Sequence, residues 1–500
     1  MNILILTALI SCAGTQIAIG ASNIVLIVAD DLDLTIGGMT PLRNTKKLIG
    51  DQGAVFANCF VNSPICCPNR ASILTGRYQH NHLTVNNSIA GGCSSPKWQK
   101  YLEPNTFASQ IKRHSSSYTT FYAGKYLNQY GSSAAGGPSH VPLGWDWWAG
   151  LVGNSKYYDY TLSINGTVKK YGAKPGDYLT DVIGNLAMDF LKTRNTNNDH
   201  QFLMVLAPPA PHAPFTPAPR HDGAFKGTKA MRTPNFNTHR QRDKHFLTRF
   251  GRAPLPDSVL PKLDEIYRRR WEALLAVDDL VQNVYNTLVE RHLMNDTYII
   301  FTSDNGYHVG QFSLPFDKRQ PYETDIRVPL LIRGPGISKG IVQYPASSVD
   351  LFATILDMAG MDAESDGTSL LSHYLHTDRT LLIEYRGEKS EKPQSSGCPT
   401  DSDSNMALCS ADFACKCQDC KNNTYSCIRR VAIGDDNLFC IFEDDDNYVE
   451  AYDLKTDTFQ LTNIGYSMSS RRRHLFRNRL KKAVVCKGND CVMTGTQLID

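Results

Sequence analysis

The sequence predicts an α/β protein built on a large sheet, followed by a smaller C-terminal α+β domain, and three observations carry that prediction. Ile24 to Ala29, Phe202 to Ala207 and Tyr298 to Thr302 are continuous apolar runs with the length and β-branched content of buried strands. Helical patterns lie between them. The clearest runs from Arg270 through Leu293, with Leu274, Leu275, Leu280, Val281, Val284 and Leu288 on one face, while Asp278 and Asp279 read as solvated. From about residue 376 the composition turns cysteine-rich and acidic, including Glu443 to Asp446, and then basic from Arg471 to Lys482. The expected division is therefore a catalytic domain over 22–375 and a smaller cysteine-rich domain over 376–500.

Five hundred residues, 41% hydrophobic and 20% charged, have the balance of a globular chain. A net charge of +3 excludes bulk nucleic acid as the main partner. Residues 1–21 read as a signal peptide, with the apolar run Ile3 to Ile10 too short to span a bilayer. No later segment has the apolar length of a membrane span, so no membrane partner is expected. Sequons at Asn86, Asn165, Asn295 and Asn422 mark candidate glycosylation sites on the secretory route. Fourteen cysteines become thirteen once Cys12 leaves with the signal. An odd number in an oxidising compartment means that one thiol has another fate. Nine lie between Cys398 and Cys491, where disulfides are favoured over zinc.

The three strand ends carry polar groups: Asp30 and Asp31 after the first, His212 after the second, Asp304 and Asn305 after the third. Open α/β sheets gather ligands at the carboxyl ends of their strands, so these groups are expected to share one site. Pro208-Pro209-Ala210-Pro211 and the prolines from Pro214 to Pro219 make a rigid loop that would hold His212. The carboxylates and the amide offer hard oxygen ligands, which suit Ca²⁺ better than a softer metal.

The most informative segment is Cys66-Cys67-Pro68-Asn69-Arg70-Ala71-Ser72-Ile73-Leu74-Thr75-Gly76-Arg77. Pro68 is placed to open a helix, which would put Cys66 at a helix N-terminus where an anion is favoured. This segment resembles the signature of the sulfatase family, Cys-x-Pro-x-Arg followed by Thr-Gly-Arg. The resemblance implies an alkaline-phosphatase-like fold, a large mixed sheet flanked by helices with a small C-terminal domain. It also implies that Cys66 becomes formylglycine, through a formylglycine-generating enzyme met during secretion. That fate would explain the odd cysteine, leaving twelve for six disulfides, with Cys67 as the disulfide-forming neighbour.

By the same resemblance, Asp30, Asp31, Asp304 and Asn305, with an oxygen of modified Cys66, would bind Ca²⁺. Arg70, Lys125 in Ala123-Gly124-Lys125-Tyr126, His212 and Lys318 match the family's catalytic and sulfate-binding positions. Many sulfatases carry histidine two residues after that first lysine, whereas Leu127 stands here. Gly124-Lys125-Tyr126-Leu127-Asn128 is instead similar to the branch of the family acting on 6-O-sulfated glucosamine. His80-Asn81-His82, Cys93-Ser94-Ser95, Asn154-Ser155-Lys156-Tyr157-Tyr158 and Asp304 to Phe312 extend that likeness. His82 and His308 are candidate substrate-binding residues within it.

The resemblance implies a lysosomal-type exo-sulfatase acting on 6-O-sulfate esters of glucosamine in heparan sulfate, with keratan sulfate as a second candidate, in the lysosome or secreted. An extracellular endosulfatase is the alternative. A phosphoryl hydrolase would want Ser or Thr in place of Cys66, and a non-catalytic glycan-binding glycoprotein would keep an unmodified thiol there. The run Arg471 to Lys482 has three readings: contact with polyanionic substrate, packing against the acidic run, or a solvated helix face.

Overall fold

The first apolar run forms strand β1 (Asn23–Ala29), buried throughout. Ile24, Leu26 and Val28 enter one apolar core and Val25, Ile27 and Ala29 the other, the alternation required when both faces of a sheet are covered. The structure is a computed structural model describing residues 21–495, apart from 116, 195–200, 240–241, 250–252, 363, 372–377, 389–413 and 415–417. Residues 1–20 of the expected signal peptide, and Cys398, Cys409, Cys415 and Cys417, lie outside the described residues.

The strands of the large sheet are β1, β2 (Ala54–Phe56), β3 (Thr119–Gly124), β4 (Trp147–Leu151), β5 (Thr161–Ile164), β6 (Thr167–Lys170), β7 (Phe202–Ala207), β8 (Thr297–Ser303), β9 (Leu330–Arg333) and β10 (Gly340–Val342). Their order is β10-β2-β9-β8-β1-β7-β3-β4-β5-β6. The central strands β8, β1, β7, β3 and β4 are parallel, whereas β9 runs antiparallel to β8, making the sheet mixed. The three long apolar runs are thus neighbours, Val25 pairing with Met204 on one side and Ile299 on the other. Their polar ends meet at one edge.

Five helices matter to the site: α1 (Cys66–Thr75), α2 (Leu179–Thr193), α3 (Leu260–Glu290), α4 (Asp350–Met358) and α5 (Ser470–Ala483). The apolar sides of α2 and α3 cover one face of the large sheet, and α1 and α4 cover the other. One expectation for α3 fails. Asp278 is buried, accepting hydrogen bonds from the Asn44 and Thr45 N–H groups and from Thr45 Oγ1, because it closes the start of the short helix Arg43–Thr45. Asp279 is half-buried and bridges to Arg220 and His221.

A second, antiparallel sheet contains β11 (Arg379–Tyr385), β12 (Tyr425–Ala432), β13 (Asp435–Phe442) and β14 (Val449–Asp453), in that order. Leu381, Ile383, Tyr385, Tyr425 and Phe442 join the core shared with the large sheet, while Leu382, Ile428 and Phe439 face Phe476 and Leu480 of α5. Buried ion pairs fasten the two parts: Arg379 grips Asp350 of α4 at 2.6 and 2.8 Å, and Arg429 reaches Glu323 at 2.8 Å. Cys427 and Cys440, opposite each other on β12 and β13, form a disulfide; Cys67–Cys93 and Cys486–Cys491 are the others among the described residues. The twelve remaining cysteines do not all pair. Cys59 and Cys420 are buried free thiols, and burial pushes both toward the protonated form.

Candidate active site

Asp30 and Asp31 follow β1 directly, and Asp31 takes a left-handed backbone (φ 68°), which aspartate tolerates better than most residues. Hydrogen bonds tie this turn to the neighbouring strand ends. The Asp31 N–H donates to Asp304 Oδ1 (3.0 Å), the Asp304 N–H to Ala29 O (3.1 Å), and the Asp30 N–H to Ala210 O (3.0 Å) in the loop carrying His212. The expected convergence of three strand ends is therefore built by the backbone itself. Arg270 of α3 adds a clamp from below, donating to Asp31 O (2.8 Å) and to Asp33 Oδ1 (2.7 Å).

Helix α1 begins at Cys66, and all ten of its residues are buried. Asn87 accepts from the Cys67 N–H (2.9 Å), and Asn69 donates to Asp304 O (2.6 Å), so the signature segment is locked to the metal-type loop. Cys66 Sγ lies 3.9 Å from Asp31 Oδ1. Burial pushes its thiol up to about 11 despite Lys125 and Lys318 nearby. At physiological pH an unmodified Cys66 would be a protonated, poorly nucleophilic thiol.

Three acids meet three cations in this pocket. Lys125 Nζ donates to both oxygens of Asp30 (2.8 and 2.9 Å), Lys318 Nζ to Asp31 Oδ1 (2.5 Å), and Arg70 Nε to Asp304 Oδ2 (2.8 Å). Burial opposes the charged forms of Asp30 and Asp31, yet Lys318 holds Asp31 down to about 2, and Lys125 holds Asp30 well below the usual range. Burial likewise opposes the charge on each lysine, but the partner aspartates raise both above the ordinary value. With three acids facing three cations, the formal charges of the pocket cancel. A bound dication would leave the pocket with surplus positive charge, suited to an oxyanion.

The residues fit such a cation. Ligand atoms of Asp30, Asp31, Cys66 and His212 all lie within 4.8 Å of one another, and Asn305 Oδ1 is buried without a hydrogen-bond partner. Arg70 Nη2 is also buried and unbonded, 3.8 Å from Asp30, leaving a guanidinium donor for a ligand oxygen.

His212 sits 3.7 Å from Asp31 Oδ2, and its Nδ1 lies 2.7 Å from Ala213 O, so Nδ1 carries a proton and Nε2 faces the site. Burial lowers its pKa against the pull of Asp31 and Asp30. The two remaining histidine candidates differ. His82 has both ring nitrogens occupied, Nε2 by Ser72 Oγ (3.1 Å) and Nδ1 by the Thr84 N–H (3.0 Å), which leaves none for a substrate. Burial drives its pKa to about 3. His308 holds Asp325 through Nδ1 (2.9 Å), while its buried Nε2 has no hydrogen-bond partner.

Leu127, at the position where many sulfatases carry histidine, is packed in the apolar core. Sequence reasoning missed Ser155, whose hydroxyl donates to Asp30 Oδ2, and Arg270. Ser155 lies in the Asn154 to Tyr158 segment, whose likeness to the 6-O-sulfated-glucosamine branch was its only signal. Among the sequons, Asn165 and Asn295 are exposed, whereas Asn86 and Asn422 are partly buried.

The sulfatase family profile matches residues 22–361. Human N-acetylglucosamine-6-sulfatase is 46% identical over 98% of this chain and 90% of its own length. The chain belongs to the sulfatase family. This sulfatase is also 37% identical, over 74% of its length, to an extracellular sulfatase of Drosophila melanogaster, of which it spans only 34%. Two solved structures share its fold. One, described in complex with its substrate D-glucosamine-2-N,6-O-disulfate, superposes with a TM-score of 0.69 at 22% identity, covering 93% of this chain and 97% of its own. The other, a phosphonate monoester hydrolase of Agrobacterium radiobacter, gives 0.63 at 17%, with 92% and 95% covered.

Proposed function

We propose that this sulfatase removes 6-O-sulfate from glucosamine residues of heparan sulfate, acting at the non-reducing end, with keratan sulfate as a second substrate. The observation that carries the reading is the near full-length identity to N-acetylglucosamine-6-sulfatase, joined to a buried pocket in which Cys66, Arg70, Lys125, His212 and Lys318 converge. A largely buried pocket at the strand ends suits one terminal sugar. The Drosophila extracellular sulfatase is about three times longer than the part it shares with this chain, and no long basic insertion for holding internal chain stretches fits here.

Formylglycine at Cys66 would supply a hydroxyl nucleophile for sulfur, and Ca²⁺ held by Asp30, Asp31, Asp304 and Asn305 would supply Lewis-acid charge. The chain does the rest. Arg70 Nη2, Lys125 and Lys318 face the sulfuryl oxygens and offset the charge that develops on them, which is often the largest catalytic contribution. His212 first takes up a proton at Nε2 and then gives it to the departing sugar oxygen, its ring held by the Nδ1 bond to Ala213 O and by the Tyr157 hydroxyl on His212 O (2.7 Å). His308 Nε2 is a further candidate contact for the sugar, fixed by Asp325. Maturation would require a formylglycine-generating enzyme on the secretory route, with delivery to the lysosome or the exterior. Among the described residues no helix is long and apolar enough to cross a membrane.

The test uses two heparan oligosaccharides, one 6-sulfated only at its non-reducing end and one only internally. Sulfate release from the first alone is expected. Comparable release from both would replace the exo reading with the endosulfatase one, and release from neither would overturn the substrate class.

A further inference from the structure

The helix α5 carries seven arginines and lysines between Arg471 and Lys482 and no acid. The structure divides them into two sets. Arg472 donates to Asn437 Oδ1 (2.9 Å) and Arg479 to Thr380 Oγ1 (2.8 Å), fastening the helix to the small sheet, and Arg473 donates to Tyr466 O (2.8 Å) in the loop before the helix. Arg471, Arg477, Lys481 and Lys482 are exposed, and none makes an ion pair among the described residues. At 100° per residue these four and exposed His474 occupy an outer arc of about 140°, opposite Phe476, Leu480 and Ala483, over a length of roughly 16 Å.

Packing against the acidic run does not explain this face. Glu443 turns to Arg386 (3.8 Å) and Asp444 to His245 (3.0 Å). A face that served solubility alone would intersperse both signs. Here Arg473, Arg477 and Lys481 follow one another at i,i+4, which weakens a helix, and three arginines stand in the first turn against the helix dipole with no acid to offset them. The helix keeps its charge at a cost to its own stability, which a polyanion lying along it would reverse.

We infer that the outer face of α5 is a docking site for a sulfated polysaccharide chain, separate from the catalytic pocket. The inference rests on the sulfated-glycan reading above. An anionic membrane is the weaker occupant, because Phe476, Leu480 and Ala483 are already buried against the sheet and leave no apolar face to insert. With several sulfates per chain meeting several cations, binding should weaken steeply as salt rises.

The test combines Arg471→Gln, Arg477→Gln, Lys481→Gln and Lys482→Gln in the full chain, replacements that keep helix propensity. Direct titration with a long heparan sulfate fragment should show the dissociation constant rising roughly tenfold. Turnover of monosaccharide glucosamine 6-sulfate, which carries a single sulfate and no chain, is the control and should stay within about twofold of the parent. Unchanged affinity for the long fragment would overturn the inference. So would loss of binding to phosphatidylserine vesicles with heparan affinity intact. If the parent protein fails to hydrolyse the monosaccharide, the substrate reading fails, while the titration still decides the docking site.

Discussion

The catalytic pocket and the outer face of α5 are both crowded with cations, yet they treat charge in opposite ways. In the pocket Arg70, Lys125 and Lys318 each lean on one carboxylate, and the six buried charges cancel. On α5 the four outer cations make no ion pair among the described residues. Burial explains the difference. A buried charge without a partner costs several kcal/mol, so the pocket can hold its cations only with counter-charges, whereas water solvates the helix face at little cost. Charge in the pocket is a requirement of its chemistry, and charge on α5 is an option that needs a reason.

The largest effect expected is at Cys66. Cys66→Ala should lower turnover by roughly 10⁴ to 10⁶, since it removes the proposed nucleophile. Secretion and the cation network should survive, because the substitution removes no charge. Mass analysis of the peptide containing Cys66 in active parent protein should find the aldehyde; a plain thiol in fully active material would defeat the mechanism.

Removing one pocket cation tests the contrast itself. Lys125→Met would leave Asp30 buried with its nearest cation gone, at a cost of about 3 to 5 kcal/mol. Lys481→Met on α5 should change stability by no more than about 0.5 kcal/mol. Denaturant unfolding of the two variants side by side measures both. Calcium should recover part of the loss in Lys125→Met, if the carboxylates bind it, and none in Lys481→Met. Equal losses would mean that Asp30 is neutralised by something other than Lys125.

His212→Ala comes next, with a loss of roughly 10² to 10⁴ in turnover. The loss should shrink for a substrate whose leaving group is a phenolate, which departs without a proton. A uniform loss across leaving groups would instead assign His212 to binding.

Much of this was legible in the sequence because the chemistry is written in contiguous residues. β1, β7 and β8 announce themselves as apolar runs, since parallel strands buried on both faces need no polar alternation. The signature around Cys66 is local for the same reason: one helix start presents it. What stayed hidden depends on contacts distant in sequence. The edge strand β10 and its neighbour β2 have three residues each, too few for a periodic signal. Asp278 looked solvated until its partners proved to be Asn44 and Thr45, and Arg429 and Arg430 are fully buried although charge in a sequence reads as surface. Ser155 gave no chemical cue of its own, because a serine becomes a site residue only when a carboxylate more than a hundred positions away is brought to it.

Between the pocket and the open helix lies a half-buried charge, and it supplies the smallest prediction. His80 sits two residues from His82, but its ring is arranged the opposite way. Nδ1 lies 2.9 Å from Glu384 Oε2 on β11 and Nε2 lies 2.9 Å from Cys486 O, so both nitrogens face acceptors and the ring fits best as imidazolium. Burial opposes that charge, but Glu384 outweighs it and raises the pKa above the ordinary 6.5. A group raised in the folded state contributes its stability fully below its unfolded pKa and loses it as pH rises through the folded one. The seam between the large and small sheets should therefore be firmer in acid, as a lysosomal setting would favour. His80→Ala should cost about 1 kcal/mol more at pH 5 than at pH 9, partial solvent contact keeping the difference small. His82→Gln should show the opposite dependence: burial and the Thr84 N–H keep that ring neutral in the folded state, whereas the unfolded chain takes up a proton in acid, so the substitution should cost less at pH 5 than at pH 9. Melting temperatures at the two pH values separate the cases, and an equal cost for His80→Ala at both would mean that Glu384 holds a neutral ring.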